Sequence, residues 1–225
     1  MARPRIGITT SFSNDTQRVD HHYIRAIEAA GGLPLIVPML DTAEAADELA
    51  ALLDGLVITG GPGITINLIG DLPDDLGPTD PMRTKSDTLI FNAMSQQPIL
   101  GICYGMQFIN AQANGSIYGD VQHQVPGTLI HTEDRGGVPH PIQITENSRL
   151  AQVLRTGELV VNTHHRQALA QVGMGLRTVA VGPDGVIEAI ESDDGRMIGV
   201  QFHPELMTEH TMPLFEDFVQ RSRRS

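Results

Sequence analysis

Short apolar runs bounded by turn residues recur along the chain, and between them lie stretches whose apolar positions repeat at helical spacing. RIGITT (5–10), LPLIVPM (33–39), GLVITG (55–60) and PILGIC (98–103) read as short buried strands, each followed by a loop. DHHYIRAIEAAGG (20–32) sets Tyr23, Ile24, Ile27 and Ala30 at helical spacing and closes on a glycine pair suited to a C-cap. TAEAADELAALLDG (42–55) offers Thr42 as an N-cap and places Leu49, Leu52 and Leu53 on one face. Strands alternating with amphipathic helices predict an α/β protein with a mixed, mostly parallel central sheet flanked by helices.

Residues 62–82 are rich in Pro, Gly and Asp without a sustained period, and predict a long irregular loop. From about residue 117 the apolar runs shorten: LIHT (129–132), HPIQIT (140–145), GELVVNT (157–163), LRTVAVG (176–182), GVIEAIES (185–192) and RMIGVQF (196–202). Hairpin-like spacing around PDG (183–185) and DDG (193–195) predicts a mixed sheet in this half.

No linker or low-complexity run divides the 225 residues, so a single domain, 1–225, is expected. The net charge of −12 is spread along the chain, and the only basic cluster is RSRR at 221–224. Binding to a phosphate backbone is disfavoured, and 4% aromatic content without tryptophan offers no platform for stacking bases. A small-molecule substrate is expected, with neither nucleic acid nor membrane as partner. No segment approaches a membrane span, and the apolar run of MARPRIGITTSF is too short for a signal sequence. A lone cysteine excludes an intramolecular disulfide and a multi-cysteine zinc site, and makes the cytoplasm the default compartment. His21, His22, His123, His131 and His140 repeat no metal-binding spacing, so no metal and no cofactor are expected.

That cysteine, Cys103, falls where a buried strand turns into a helix ending near Gly115, with Gly101 and Gly105 two residues to either side. Free cysteine is often plain core filler. The strand, the glycines and the helix together instead make a G-x-Nuc-x-G elbow, which exposes a nucleophile above the sheet at a helix N-terminus that favours its thiolate. A base is available in RMIGVQFHPE (196–205). Pro204 keeps His203 out of the α region, and in an extended segment Glu205 would point the same way and fix the His203 tautomer. Cys103, His203 and Glu205 are the candidate triad. Candidate oxyanion donors are the amide of Gly61, in the glycine-rich end of GLVITGGPG, and the amide of Tyr104 after the nucleophile. GGPG alone would equally suit an ordinary tight turn or a phosphate nest.

TGGPG (59–63), GICYGMQ (101–107) and GVQFHPE (199–205), in this order, resemble the class I glutamine amidotransferase superfamily, whose fold is flavodoxin-like. Within it, RIGITTSF, DHHYIRAIEAAGGLPLIVP, LLDGLVITGG, NGSIYGDVQHQVPG and VVNTHHRQA are similar to the gamma-glutamyl-gamma-aminobutyrate hydrolase family, over about residues 5–220. The resemblance implies a stand-alone hydrolase of γ-glutamyl amides working through a thioester on Cys103, with His203 protonating the leaving amine. It places Gln107 at the glutamyl part of the substrate, unless that residue simply packs beneath the elbow. It also places Asn162, His164 and His165 near the mouth of the site, although paired histidines after a strand are more often plain loop residues.

Two departures from that family stand out. TGGPGITINLIGDLPDDLG followed by MRTKSD replaces a GGGDVxPxxYG run followed by an Arg-Asp pair, and Tyr104 follows the nucleophile where arginine is common. Both are expected where the leaving amine sits, so that amine need not be γ-aminobutyrate. The alternatives are a glutaminase subunit feeding ammonia to a partner synthase, a binding module that retains the fold, and a cysteine peptidase of the wider superfamily. An intact triad argues against the binding module, and Tyr104, where such peptidases often carry histidine, argues against the peptidase. A homodimer is left open.

Overall fold

A computed structural model describes residues 2–223, so Arg224, the last arginine of the basic cluster, lies outside the described residues. The strands are β1 (Arg5–Ile8), β2 (Ser11–Ser13), β3 (Thr16–Arg18), β4 (Leu33–Ile36), β5 (Gly55–Ile58), β6 (Leu68–Ile69), β7 (Ile99–Ile102), β8 (Ser116–Tyr118), β9 (His140–Ile144), β10 (Glu158–Val161), β11 (Ala168–Gln171), β12 (Leu176–Val181), β13 (Ile187–Ser192) and β14 (Met197–Val200). The helices are α1 (His21–Ala29), α2 (Ala43–Ala50), α3 (Pro81–Ala93), α4 (Tyr104–Gln112), α5 (Val121–Gln124), α6 (Arg149–Leu154) and α7 (Thr208–Arg221).

Nine strands form one sheet in the order β10-β9-β12-β13-β14-β7-β5-β1-β4. From β14 to β4 neighbouring strands run parallel, and from β13 to β10 they run antiparallel. β5 and β7 lie inside the parallel half and are buried along their whole length, which is why GLVI and ILGI are uninterrupted apolar runs. Alternation along the strands divides the core between the two faces. Ile6, Ile8, Val57, Leu100 and Ile102 pack with Tyr23 and Ile27 of α1 and Phe215 and Phe218 of α7, whereas Leu56, Ile58 and Ile99 pack with Ile90 of α3 and Phe108 of α4. Each such fully buried side chain contributes about 1.5–3 kcal/mol relative to exposure.

Side-chain caps start the helices: Asp20 accepts from the His22 amide, Thr42 from Ala45 and Asp80 from Met82, with Pro81 at the first turn of α3. α2 ends at Ala50, earlier than its apolar pattern predicts, so Leu52 lies beyond the helix and is exposed while Leu53 is buried. LIHT is not a strand. Among the described residues only Thr132 pairs there, in a single bridge to His164, and the Leu129 N–H is taken by Asp184. The predicted 62–82 loop gives way at Pro81 to α3, and its ends are tied by Gly63 N–H to Gly77 O (2.9 Å) and Thr79 N–H to Gly63 O (2.7 Å).

Candidate active site

Three neighbouring strands, β14, β7 and β5, deliver the candidate residues side by side at their C-terminal ends, where open α/β sheets place their ligands. Cys103 follows β7 with φ 53° and ψ −107°, a conformation that L residues rarely adopt. The flanking glycines permit it: a Cβ on Gly105 would stand 2.1 Å from the Ile58 carbonyl oxygen, and one on Gly101 would stand 2.6 Å from the Gly105 oxygen. The helix that starts at Tyr104 therefore lies directly against the strand ends.

His203 follows β14 and is held through its backbone. Its N–H donates to Asn162 Oδ1 (2.9 Å), and its carbonyl accepts from Asn162 Nδ2 (2.8 Å). Both ends of the Asn162 amide are thus engaged with His203. The ring Nδ1 lies 2.6 Å from Glu205 Oε1, a short, charge-assisted contact. Glu205 reaches the ring from the 3-10 turn Pro204–Leu206 rather than from an extended segment, since the chain bends at the proline. Burial works to lower the His203 pKa, but hydrogen bonds to Cys103 and Glu205 outweigh it and push the value up to about 10, so the ring is a proton reservoir at neutral pH. Tyr23 completes the surround. Its hydroxyl sits 3.5 Å from His203 Nδ1 and accepts from the Gly60 N–H at 3.0 Å.

On the other side of Cys103, β5 is followed by Gly60 and Gly61. Arg83, fully buried on α3, donates to the carbonyls of Thr59 (3.0 Å) and Gly60 (3.1 Å), to Ser11 Oγ (3.0 Å) and to Asp87 (3.1 Å). Gly61 leaves no room beside that guanidinium, since a Cβ there would stand 2.0 Å from Arg83 Nη1. The Tyr104 amide opens α4 and so has no partner within the helix. Its side chain turns inward: the ring lies 4.2 Å beneath the Arg83 guanidinium and stacks on Phe108, and burial with Asp87 nearby pushes the phenol pKa up. Tyr104, expected at the leaving amine, is instead buried together with Arg83 beneath the end of β5. Their size and charge are used to support that strand.

Gln107 is buried, and its Nε2 donates to the Gln167 carbonyl (3.1 Å) and to Gln201 Oε1 (3.1 Å). Gln201 in turn directs its Nε2 to the Cys103 sulfur at 3.5 Å. His164 packs edge-on to His203 at 5.6 Å, and its pKa is lowered by burial and then by the charge of His203. His165 is buried, with Nδ1 2.9 Å from the Gln167 carbonyl. A narrow cavity of about 70 Å³ is lined by Gly61, Leu76, Cys103, Gln107, His164 and Arg166. A wider one of about 290 Å³ lies on the far side of Gly61 against Ser11, Tyr23 and His203. Gln201, Arg83 and Tyr23 were not singled out in the sequence. The i, i+2 spacing of Gln201 and His203 was a usable signal for the first, whereas the other two act across long sequence distances.

Fold and site together define a class I glutamine amidotransferase-like α/β protein. The Peptidase C26 family matches residues 4–205, and the chain belongs to that family. It is 32% identical over 220 residues to the gamma-glutamyl-gamma-aminobutyrate hydrolase PuuD of Escherichia coli K12, covering 91% of this chain and 86% of that protein. It is 33% identical over 210 residues to protein NtpR of Enterococcus hirae, covering 88% and 87%. Among solved structures, a Thermoplasma acidophilum protein described as part of a GMP synthase superposes with a TM-score of 0.69 over 99% of this chain and 95% of its own, at 18% identity, a likeness of fold. Among the described residues no helix is long and apolar enough to cross a membrane.

Proposed function

We propose that the chain hydrolyses the γ-glutamyl amide bond of a small γ-glutamyl amine, releasing glutamate and the free amine. The observation that carries this reading is the meeting of Cys103, the Glu205-bound His203 and Gly61 at three adjacent strand ends beside a narrow cavity. The Cys103 sulfur attacks the γ-carbonyl, and the oxyanion that forms is met by the amides of Gly61 and Tyr104. His203 donates its proton to the departing nitrogen as the C–N bond breaks, and Glu205 holds the ring so that this proton faces the substrate. Water, deprotonated by the now neutral His203, then cleaves the thioester and returns the thiol. The narrow cavity suits the unbranched glutamyl arm, with Gln107 and Arg166 at its walls. The wider cavity beside His203 suits the amine.

The fold likeness to a GMP synthase component favours a second reading, in which the chain is a glutaminase delivering ammonia to a partner. One experiment separates the two: glutamate release by the purified chain offered glutamine and a panel of γ-glutamyl amides, with Cys103→Ala as control. Turnover of an amide other than glutamine, abolished in the variant, is expected. Slow turnover of glutamine alone, or silence on every amide, overturns the stand-alone hydrolase.

A further inference from the structure

At the wall of the narrow cavity, which His165 lines, the antiparallel half of the sheet encloses a polar cluster to which the proposed reaction assigns no step. It draws on His131 before β9, His140 at the start of β9, His165 after β10, Asp184 in the β12–β13 turn and Glu188 in β13. His131, His140, His165 and Glu188 are all buried, with 3% or less of their surface exposed. Glu188 Oε1 stands 3.4 Å from His140 Nε2, 3.5 Å from His165 Nε2 and 3.6 Å from His131 Nδ1.

The outer contacts decide which ring nitrogens carry lone pairs. His131 Nε2 lies 2.8 Å from Asp184 Oδ2, and His165 Nδ1 lies 2.9 Å from the Gln167 carbonyl oxygen. Both partners are acceptors, so both of these nitrogens carry the proton. In the neutral rings the lone pairs then sit on His131 Nδ1 and His165 Nε2, and both face the Glu188 carboxylate. Neither nitrogen has a hydrogen-bond partner, nor does Glu188 Oε2. Lone pairs and a carboxylate converging in a buried cluster repel one another, and a cation between them removes that repulsion.

A proton on His140 Nε2 meets Glu188 Oε1 at 3.4 Å, but protons answer the other two contacts poorly. A charge-assisted N–H···O bond spans about 2.7–2.9 Å, and the separations here are longer by more than half an ångström. A metal answers it well. Four ligands about 2.0–2.1 Å from a tetrahedral ion stand about 3.3–3.4 Å from one another, close to the separations around Glu188. The ligand atoms of His131, His140 and Glu188 lie within 4.8 Å of one another, and His165 Nε2 stands beside them at 3.5 Å from Glu188 Oε1. Asp184 behind His131 and the Gln167 carbonyl behind His165 are the orienting acceptors that metal-bound histidines use. A dication also balances the charges of Glu188 and Asp184.

We propose that His131, His140, His165 and Glu188 form a closed, four-coordinate site for a transition-metal dication of the zinc class. Its role is structural. It braces the His165–Gln167 segment, whose Gln167 carbonyl receives the Gln107 side chain at the cavity wall. This replaces the sequence-based expectation of no metal, which rested on local spacing, whereas these ligands come from separate strands and loops of the second half.

The test is metal analysis of the full chain, produced without a histidine tag and washed with chelator. About one zinc per chain is expected, with metal affinity falling at least about tenfold in Glu188→Gln and in His131→Asn. Wild-type chain refolded with cobalt should show the intense visible bands of a tetrahedral N/O site, unchanged in Cys103→Ala. Should the variants fail to fold, the wild-type stoichiometry and the cobalt spectrum decide the matter alone. A wild-type chain that is metal-free as purified and takes up neither zinc nor cobalt on refolding overturns the proposal. So does metal retained in Glu188→Gln, or bands lost in Cys103→Ala, which would place the ion on the nucleophile.

Discussion

At the scale of single residues, His203 ties the chemistry to stability. Its folded pKa of about 10 exceeds the ordinary histidine value, so between about 6.5 and 10 the folded chain binds a proton that the unfolded chain lacks. The resulting stability is fully present below about 6.5 and is lost as pH rises through about 10, by at most about 1.4 kcal/mol per pH unit. The unfolding free energy of the wild type should therefore fall over this window, and Glu205→Gln and Cys103→Ala, each removing one of the contacts that raise the value, should flatten the slope. Parallel wild-type and variant profiles from urea melts at stepped pH would show that these contacts do not hold the proton. Cys103, His203 and Glu205 were legible as a group because each carries a local signal: glycines two residues either side of the cysteine, and a proline fixing the backbone between histidine and acid. Gln201 carried only its spacing, and nothing local revealed that Asn162 would clamp the His203 backbone.

At the scale of elements, the decisive contact joins α3 to the end of β5. Arg83 holds the Thr59 and Gly60 carbonyls and thereby aims the Gly61 amide, so it is a positioning residue for the proposed oxyanion site. Replacing it with methionine strands the buried Asp87 carboxylate and should cost about 3–5 kcal/mol of stability. The double variant Arg83→Met/Asp87→Leu should recover most of that loss in a urea melt, because the unpaired charge is gone. Its kcat should still fall about tenfold or more, because the peptide before Gly61 is no longer pinned. A double variant with restored stability and full turnover would reduce Arg83 to a packing role. The strands and helices of the parallel half were readable from periodicity, since β5 and β7 are apolar throughout and α1 keeps one face. α3 was not read, because it buries Arg83, Ser86 and Asp87 and so lacks the apolar stripe that marks a helix. LIHT misled for the opposite reason: its alternation belongs to a loop that delivers His131 to an interior cluster.

At the scale of the molecule, the site lies where the parallel and antiparallel halves meet, and a charge network links them across its mouth. Asp75, on the loop from the first half, bonds Arg135 at 2.6 Å and Arg166 at 2.9 Å, both from the second half. Arg135 also pairs with Asp120 at 2.9 Å and Arg166 with Asp134 at 2.8 Å. The two guanidinium groups hold the Asp75 carboxyl well below the usual range. Leu76, next in the chain, and Arg166 both line the narrow cavity, so the link is continuous with its wall. Asp75→Asn should raise KM for a γ-glutamyl amide roughly two- to tenfold, the scale of two exposed ion pairs, with a smaller change in kcat. Limited proteolysis should cut the 62–82 loop faster in the variant, and high salt should move the wild type in the same direction by screening the pairs. Substrate bound to Cys103→Ala should slow the same cleavage if the loop closes over it. Unchanged KM together with an unchanged cleavage rate would mean that the loop is held by Leu72 and Leu76 packing on Gly63 alone, and that the charges only decorate it.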